Sequence, residues 1–102
     1  MPIMLSETLK KSDLASMFTT PTFIGTAESI AGGSYSDVSI SCVKDGYKFL
    51  GVVGITLGQS ACSVAEWAVT ITNPSVTVSI RNNATSSMAC NVTVRCLFVK
   101  NS

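Results

Sequence analysis

Residues 89–100 read ACNVTVRCLFVK, and this stretch gives the clearest structural signal in the chain. Apolar and polar side chains alternate without interruption from Cys90 to Cys96, and Phe98 continues the apolar positions. The apolar positions are Cys90, Val92, Val94, Cys96 and Phe98, and the polar ones between them are Asn91, Thr93 and Arg95. Because successive side chains of a β-strand point to opposite faces, the alternation predicts a long strand with one buried face.

Five more strands are predicted upstream, separated by turns that contain glycine, proline or asparagine. They cover residues 22–31, 37–43, 48–57, 61–72 and 75–80. Asp45-Gly46 is a strong hairpin signal between the second and third of these strands. About six short antiparallel strands, spaced roughly ten residues apart, predict an all-β fold. We expect an antiparallel β-sandwich, either jelly-roll-like or a small barrel.

The N-terminal residues differ in character and predict a short arm. Residues 6–18 fit a helix with an irregular apolar face, for which Ser6 is the candidate N-cap. The helix ends before Pro21, because the residue before a proline avoids the helical conformation. We therefore divide the chain into a helical or extended anchoring arm, residues 1–21, and a sandwich domain, residues 22–102. We expect neither a secretory signal peptide nor a membrane-spanning segment, because the sequence shows no signal-peptide pattern and no apolar run long enough to cross a bilayer.

The composition indicates hidden apolar surface. Of the 102 residues, 46% are apolar and only 13% are charged, with a net charge of +1. That charged fraction is about half of the ~25% typical of globular domains. The strand over residues 48–57 is apolar on both faces, so it is either central in its sheet or covered by another subunit. The candidate interface residues are Leu5, Leu9, Met17, Phe18, Leu50 and Val52.

The absence of histidine argues against an enzyme. Imidazole is the usual general base near neutral pH and the commonest metal ligand, and the chain has none. No two carboxylates are spaced to share one face, and Glu66 is expected to be solvated or paired with Arg81 or Arg95. We therefore predict no catalytic residue, no metal and no cofactor. Near-neutral charge also argues against nucleic acid as a partner.

The four cysteines are interpreted as reduced, buried residues. Cys90 and Cys96 lie about 20 Å apart along one extended strand, too far to form a disulfide with each other. Pairs such as Cys42 with Cys90 or Cys96 remain open alternatives.

Four residues are candidates for contact with a ligand. Tyr35 and Tyr47 lie at predicted strand ends, where an amphipathic ring can face water. Asn82 and Asn83 belong to the polar loop over residues 81–87. Trp67 is instead expected in the core, on the same face as Val69 and Ile71 and opposite Val64.

Residues 34–100 resemble a small β-sandwich module found on the virions of tailed bacteriophages, especially those that infect gut Firmicutes. The similarity is carried by DGYKFLGVVGI at residues 45–55, VSIRN at 78–82 and NVTVRCLFVK at 91–100. Such modules form the terminal knobs of tail or baseplate fibres, head fibres or capsid decoration proteins, and are usually trimeric. This chain departs from the pattern because it has a short arm in place of a long fibre shaft.

The resemblance implies a non-enzymatic virion structural protein that assembles in the host bacterial cytoplasm. As implied partners we expect two further copies in a homotrimer, capsid or tail proteins at the arm, and host surface glycans at exposed loops such as residues 58–61 and 81–87. No membrane insertion is expected. The alternative is a free-standing glycan-binding, lectin-like domain.

Overall fold

The computed structural model describes residues 17–101, and these form two antiparallel sheets packed as a β-sandwich. The predicted fold class is therefore confirmed. The strands are β1 (Phe18–Thr19), β2 (Thr22–Ile30), β3 (Tyr35–Ser41), β4 (Tyr47–Leu57), β5 (Cys62–Thr70), β6 (Ser75–Asn82) and β7 (Met88–Lys100). Residues 17–101 include no helix that is long and apolar enough to cross a bilayer. Most of the predicted arm, including Leu5 and Leu9, lies outside the described residues.

The two sheets are each built around one long strand. In the first sheet β7 lies between β4 on one side and β2 on the other, with β1 continuing the line of β2. In the second sheet β6 lies between β3 and β5. The chain changes sheet after β2, β3, β4 and β6. Among the strands described, β5 and β6 are therefore the one pair of consecutive strands that hydrogen-bond to each other as a hairpin.

All six predicted strands are present, with ends that differ by one or two residues. β1 was not predicted. Phe18 pairs with Val99 and Thr19 pairs with Phe98, so Phe18 belongs to a strand and not to the end of a helix. The sheet consequently begins before the domain boundary that we drew at residue 22.

The predicted hairpin at Asp45-Gly46 is wrong, because β3 and β4 lie in different sheets. The amide of Tyr47 donates to the carbonyl of Lys44 at 3.1 Å, which closes a four-residue turn. Gly46 has a φ of 82°, whereas no non-glycine residue described has a positive φ. A type I′ hairpin turn needs positive φ at both central residues, and Asp45 does not supply it. Gly46 instead supplies the positive φ at the third position of a type II-like turn, which connects the two sheets.

The core lies between the inner faces of β7 and β6. The predicted inward set on β7 is confirmed, because Cys90, Val92, Val94, Cys96 and Phe98 are all buried. Facing them from the second sheet are the fully buried residues Val76, Val78 and Ile80. The Phe98 ring is the largest member and contacts two other rings, with centroid distances of 5.9 Å to Phe23 and 5.6 Å to Phe49.

Two bulges give β4 its unusual spacing. Phe49, Val52 and Ile55 all face the core, three residues apart, although a regular strand repeats every two. The register shifts between Phe49 and Gly51 and again between Val52 and Gly54, so Leu50 and Val53 are the extra residues. Both are about half exposed. β4 is an edge strand in the described structure, which rules out the central position considered from its sequence.

A third bulge corrects the predicted faces of β5. The register shifts between Val64 and Glu66, so Val64 pairs with Ile80 and Trp67 pairs with Val78. Val64 therefore shares the inward face with Trp67, where we had placed it opposite. Trp67 points toward the sandwich interior but is 49% exposed, and Ile71 is 70% exposed in the following turn. The prediction that Trp67 and Ile71 are core residues is wrong.

All four cysteines are buried and free. Burial raises the pKa of the Cys96 thiol to about 12, with the neighbouring Cys42 thiol adding to the shift. Burial likewise raises the pKa values of Cys42 and Cys62 above their ordinary value of 9.0. The fold thus favours the neutral thiols, as expected for small side chains in an apolar core.

Gly25 allows β2 to pack closely against β3. A Cβ atom at Gly25 would lie 2.7 Å from Cγ1 of Val38 and 2.8 Å from Cγ1 of Ile40. Both neighbours are β-branched, so their γ-carbons have little freedom to move aside. We predict that Gly25→Ala lowers the free energy of unfolding by about 1–3 kcal/mol, measured by urea denaturation.

Gly51→Ala is the matched control for Gly25→Ala. A Cβ at Gly51 meets nothing within 4 Å, and the backbone there has no positive φ. The control is expected to change the unfolding free energy by no more than about 0.5 kcal/mol. Equal stability of the two variants would contradict the close packing at Gly25.

The thiol pKa values predict a loss of stability in alkali. A group whose pKa is raised on folding stabilises the fold below its unfolded pKa, and that contribution is lost as the pH rises through the folded pKa. For Cys96 the window runs from about 9 to about 12. In reducing buffer, the unfolding free energy should fall above pH 9 with a contribution from Cys96 of up to about 1.4 kcal/mol per pH unit.

Cys96→Ala separates the contribution of this thiol from every other effect of alkaline pH on the fold. The variant should show a shallower decline between pH 9 and 11 than the parent chain, whatever its stability at pH 7. Parallel pH profiles for the two proteins would contradict the assignment to Cys96.

Candidate functional site

The outer face of the second sheet has a connected row of polar side chains at one end. Tyr35, Arg81 and Ser63 stand side by side on β3, β6 and β5. Arg81 donates from Nη1 to the Tyr35 hydroxyl at 3.2 Å and from Nε to Oδ1 of Asn83 at 2.9 Å. Asn83 in turn donates from Nδ2 to the Ser63 hydroxyl at 3.0 Å. The guanidinium carbon also lies 5.3 Å from the centroid of the Tyr35 ring, so Arg81 fixes the orientation of an exposed aromatic face.

The next row on the same face contains two carboxylates. Asp37 and Glu66 both pair with Ser79, one from each side, and line a small open cavity of about 170 Å³. The bulge between Val64 and Glu66 places Glu66 on this face. We call the two rows together the polar ledge, which consists of Tyr35, Asp37, Ser63, Glu66, Ser79, Arg81 and Asn83.

The polar ledge offers an exposed ring, a guanidinium, an amide and two carboxylates within a few strand spacings. Such a combination suits a ligand with one apolar face and several hydroxyl groups, because the ring stacks while the polar groups exchange hydrogen bonds. Asp37 and Glu66 are both solvent-exposed. Among residues 17–101, no three side chains of the metal-ligating types come together.

Asn82 does not face a ligand, which corrects its place among the candidate residues. Its side chain is fully buried. Nδ2 donates to the carbonyls of Ile30 and Ser86 at 2.8 and 2.9 Å, and Oδ1 accepts from the amide of Ala84 at 2.9 Å. All these bonds tie the loop after β6 to the end of β2, so Asn82 is a structural residue.

Tyr35 and Tyr47 lie at opposite ends of the sandwich. Tyr35 begins β3 beside Arg81, whereas Tyr47 follows the far end of β3 and pairs with Lys100. Tyr47 is half-buried against the core, and the ammonium of Lys44 stands 4.9 Å from its ring centroid. The structure thus brings together Tyr35 and Asn83 among the predicted ligand-facing residues, but neither Tyr47 nor Asn82.

A second feature is an open apolar groove between the edge strands β4 and β5. It has a volume of about 330 Å³, at the lower end of the range for ligand pockets. Its lining has no charged side chain. We call it the apolar groove, and it is lined by Val52, Val53, Gly54, Ile55, Val64 and Trp67.

The predicted interface residues fall into two places. Val52 lines the apolar groove and packs partly against the core, and Leu50 on the same strand is 47% exposed. Phe18 is 44% exposed on β1 at the opposite edge of the first sheet, and the preceding Met17 is half-buried. Leu5 and Leu9 lie outside the described residues.

Sequence reasoning considered Arg81 as a partner for Glu66 but did not place Asp37 on the same face. Their convergence depends on which strands pair across β6 and on the bulge within β5. Neither feature has a local signal, because Asp37 and Glu66 belong to different strands and an extra residue such as Ala65 looks like any other small strand residue. The alternation predicted for residues 75–80 did indicate that Ser79 lies on the face opposite Val78, whereas Arg81 was assigned to the following loop and in the structure extends β6.

Comparisons with protein-family models, with curated proteins and with solved structures found no significant match to this chain. The resemblance to phage virion modules therefore stays a prediction made from the sequence motifs.

Proposed function

We propose that this chain is a non-enzymatic bacteriophage virion protein, a surface-displayed β-sandwich that associates into a trimer and is anchored through its N-terminal arm. The proposal covers a place on the capsid, as a decoration protein or head fibre, or at the tip of a tail fibre. The observation that carries it is a continuous apolar edge formed by β4 and β5.

Exposed apolar side chains concentrate at that edge. Four large hydrophobic residues of these two strands are exposed, namely Leu50, Val53, Val64 and Trp67, and Ile71 is exposed in the turn that follows β5. Between Lys48 and Glu66 the sequence has no charged residue at all. Exposed edge strands ordinarily carry charges or proline that prevent strand pairing with other chains. An apolar edge with so few charges is typical of a surface that another subunit covers.

The ends of the molecule favour anchoring at one end and display at the other. β1, where the arm joins, pairs with the C-terminal end of β7 at Val99. The loops over residues 31–34, 58–61 and 83–87 gather at the opposite end, tied by bonds such as Gly33 N to Asn82 O and Gly58 N to Asn91 O. The polar ledge begins at the same end with Tyr35. A β7 strand of thirteen residues separates the two ends by roughly 40 Å.

Leu50→Glu tests the proposed subunit interface. A charge on the apolar edge should oppose its burial, so the variant is expected to be monomeric under conditions where the parent chain is trimeric. Light scattering after size-exclusion chromatography, at micromolar concentration, measures the mass directly.

Ile24→Glu is the matched control for the interface test. Ile24 is 68% exposed on β2, on the far side of the first sheet from β4. This variant should remain trimeric. A monomeric parent chain, or a Leu50→Glu trimer as stable as the parent's, would overturn the proposed interface.

The polar ledge favours a second candidate function, a free-standing glycan-binding domain. An oriented, exposed aromatic ring beside hydrogen-bonding groups suits saccharides. The same site also suits contact with host glycans in a virion protein. In a trimer three such sites act together, so weak individual contacts reach useful avidity.

Tyr35→Ala tests saccharide binding at the polar ledge. Loss of the stacking surface should reduce binding to any saccharide found on a glycan array by tenfold or more. Ser41→Ala, on the same face at the far end of β3, is expected to bind as the parent chain does. An array without hits, or equal binding by both variants, would remove the glycan function.

A further inference from the structure

The polar ledge carries more negative than positive charge. Its two carboxylates, Asp37 and Glu66, outnumber its one cation, Arg81. Both carboxylates are exposed, and both line the same small cavity from opposite sides of Ser79. Neighbouring strands of a sheet lie about 4.8 Å apart, so the backbones that carry the two carboxylates are separated by roughly 10 Å across β6. A ligand in the cavity therefore has a carboxylate on each side.

Arg81 is committed to other residues of the ledge. Its guanidinium donates from Nε to Asn83 and from Nη1 to the Tyr35 hydroxyl, and its central carbon lies 5.3 Å from the Tyr35 ring centroid. Two of its three nitrogens thus hold the ledge together. In the part of the chain that the structure describes, no ion pair joins Arg81 to Asp37 or Glu66. The negative charge of the ledge consequently acts on whatever ligand binds there.

The two carboxylates also determine which hydrogen bonds a ligand must make. An ionised carboxylate only accepts hydrogen bonds, and it binds donors more strongly than a neutral acceptor does. A saccharide hydroxyl can donate to it, whereas an ionised carboxylate, sulfate or phosphate group on a saccharide cannot. Such an acidic group in the cavity is in addition repelled by both side chains.

The neutral groups of the ledge fit a ligand that carries hydroxyls. The Tyr35 hydroxyl accepts from Arg81, so its own proton is available to a ligand oxygen. The Ser63 hydroxyl accepts from Nδ2 of Asn83 and likewise keeps a proton to donate. Because a saccharide hydroxyl both donates and accepts, one uncharged ligand can satisfy the two protein hydroxyls and the two carboxylates together.

We propose that Asp37 and Glu66 make the polar ledge selective for uncharged saccharides, whose hydroxyl groups donate to the two carboxylates, and that they exclude acidic saccharides. This selectivity rests on the glycan-binding function proposed above and names the ligand class of that site. The site itself depends on the exposed ring of Tyr35, on which a sugar stacks. Asp37 follows on the same face of β3, about 7 Å along the strand, so a saccharide stacked on the ring can extend over the carboxylates.

Matched pairs of oligosaccharides test this selectivity. Oligomers of galactose and of galacturonate form one pair, and oligomers of glucose and of glucuronate form another. Within each pair a hydroxymethyl group is replaced by a carboxylate. At about 0.01 M salt, the full chain is expected to bind the uncharged member of a pair more tightly than the acidic member by about tenfold or more. This ratio should shrink at about 1 M salt, where charges are screened.

Asp37→Asn combined with Glu66→Gln removes both charges and keeps the size of each side chain. Both side chains are exposed, so the two substitutions disturb no core contact. The double variant should lose the selectivity and bind the two members of a pair with about equal affinity. If the two residues had only a structural role, binding of both members would weaken alike, and the ratio would not change.

Asp45→Asn is the control for loss of charge, because it removes an exposed carboxylate from the turn at the opposite end of the sandwich. It should leave the selectivity ratio of the parent chain unchanged. Acidic members that bind as tightly as uncharged ones, or more tightly, would overturn the proposed selectivity and leave the glycan-binding function standing. If no member of any pair binds, the glycan-binding function is itself wrong, and the selectivity is lost with it.

Discussion

The packing of β7 against β6 is the contact on which the rest of this structure depends. Each strand is the middle of its sheet and buries every second side chain against the other. Val92 and Val94 on β7 and Val78 and Ile80 on β6 are completely inaccessible to solvent. The partner strands then attach by hydrogen bonds to an inner layer that is already specified. A one-residue slip of either strand would bring its polar face into the core, so the register is strongly fixed.

Because β7 and β6 set the two faces, their alternation made most of the fold readable from the sequence. The strict alternation of residues 90–96, continued by Phe98, predicts which side chains are buried, and the structure agrees at each of these positions. The errors arose where the period changes or where pairing is long-range. β4 repeats every three residues through two bulges, and the bulge within β5 moves Val64 to the face of Trp67. The Asp45-Gly46 turn carries a hairpin sequence, yet its backbone serves a corner between sheets.

The candidate surfaces were less predictable than the core for the same reason. Tyr35 and Asn83 were identified because they are polar or amphipathic residues near turns, and the structure joins them through Arg81. Asn82 and Asn83 are the same residue type, but the alternation of β6 directs the Asn82 side chain inward, where it makes three hydrogen bonds. A neighbouring pair of like residues can thus have opposite roles when a strand separates their faces. The spacing within β6, and not residue type, distinguishes the two.

The sandwich is closed on one side and open on the other, and this asymmetry connects its composition to its proposed use. On the β2 and β3 side, Gly25 lets the strands approach until Val38 and Ile40 leave no room for a β-carbon. On the β4 and β5 side, bulges add residues to both strands, but the space between the strands stays open as the apolar groove. Trp67 lines this groove and is half exposed. A chain with few charges has no polar cover for that groove. A second subunit that covers the groove would bury the same kind of apolar side chain that fills the core. Burial of apolar surface would then drive assembly as it drives folding.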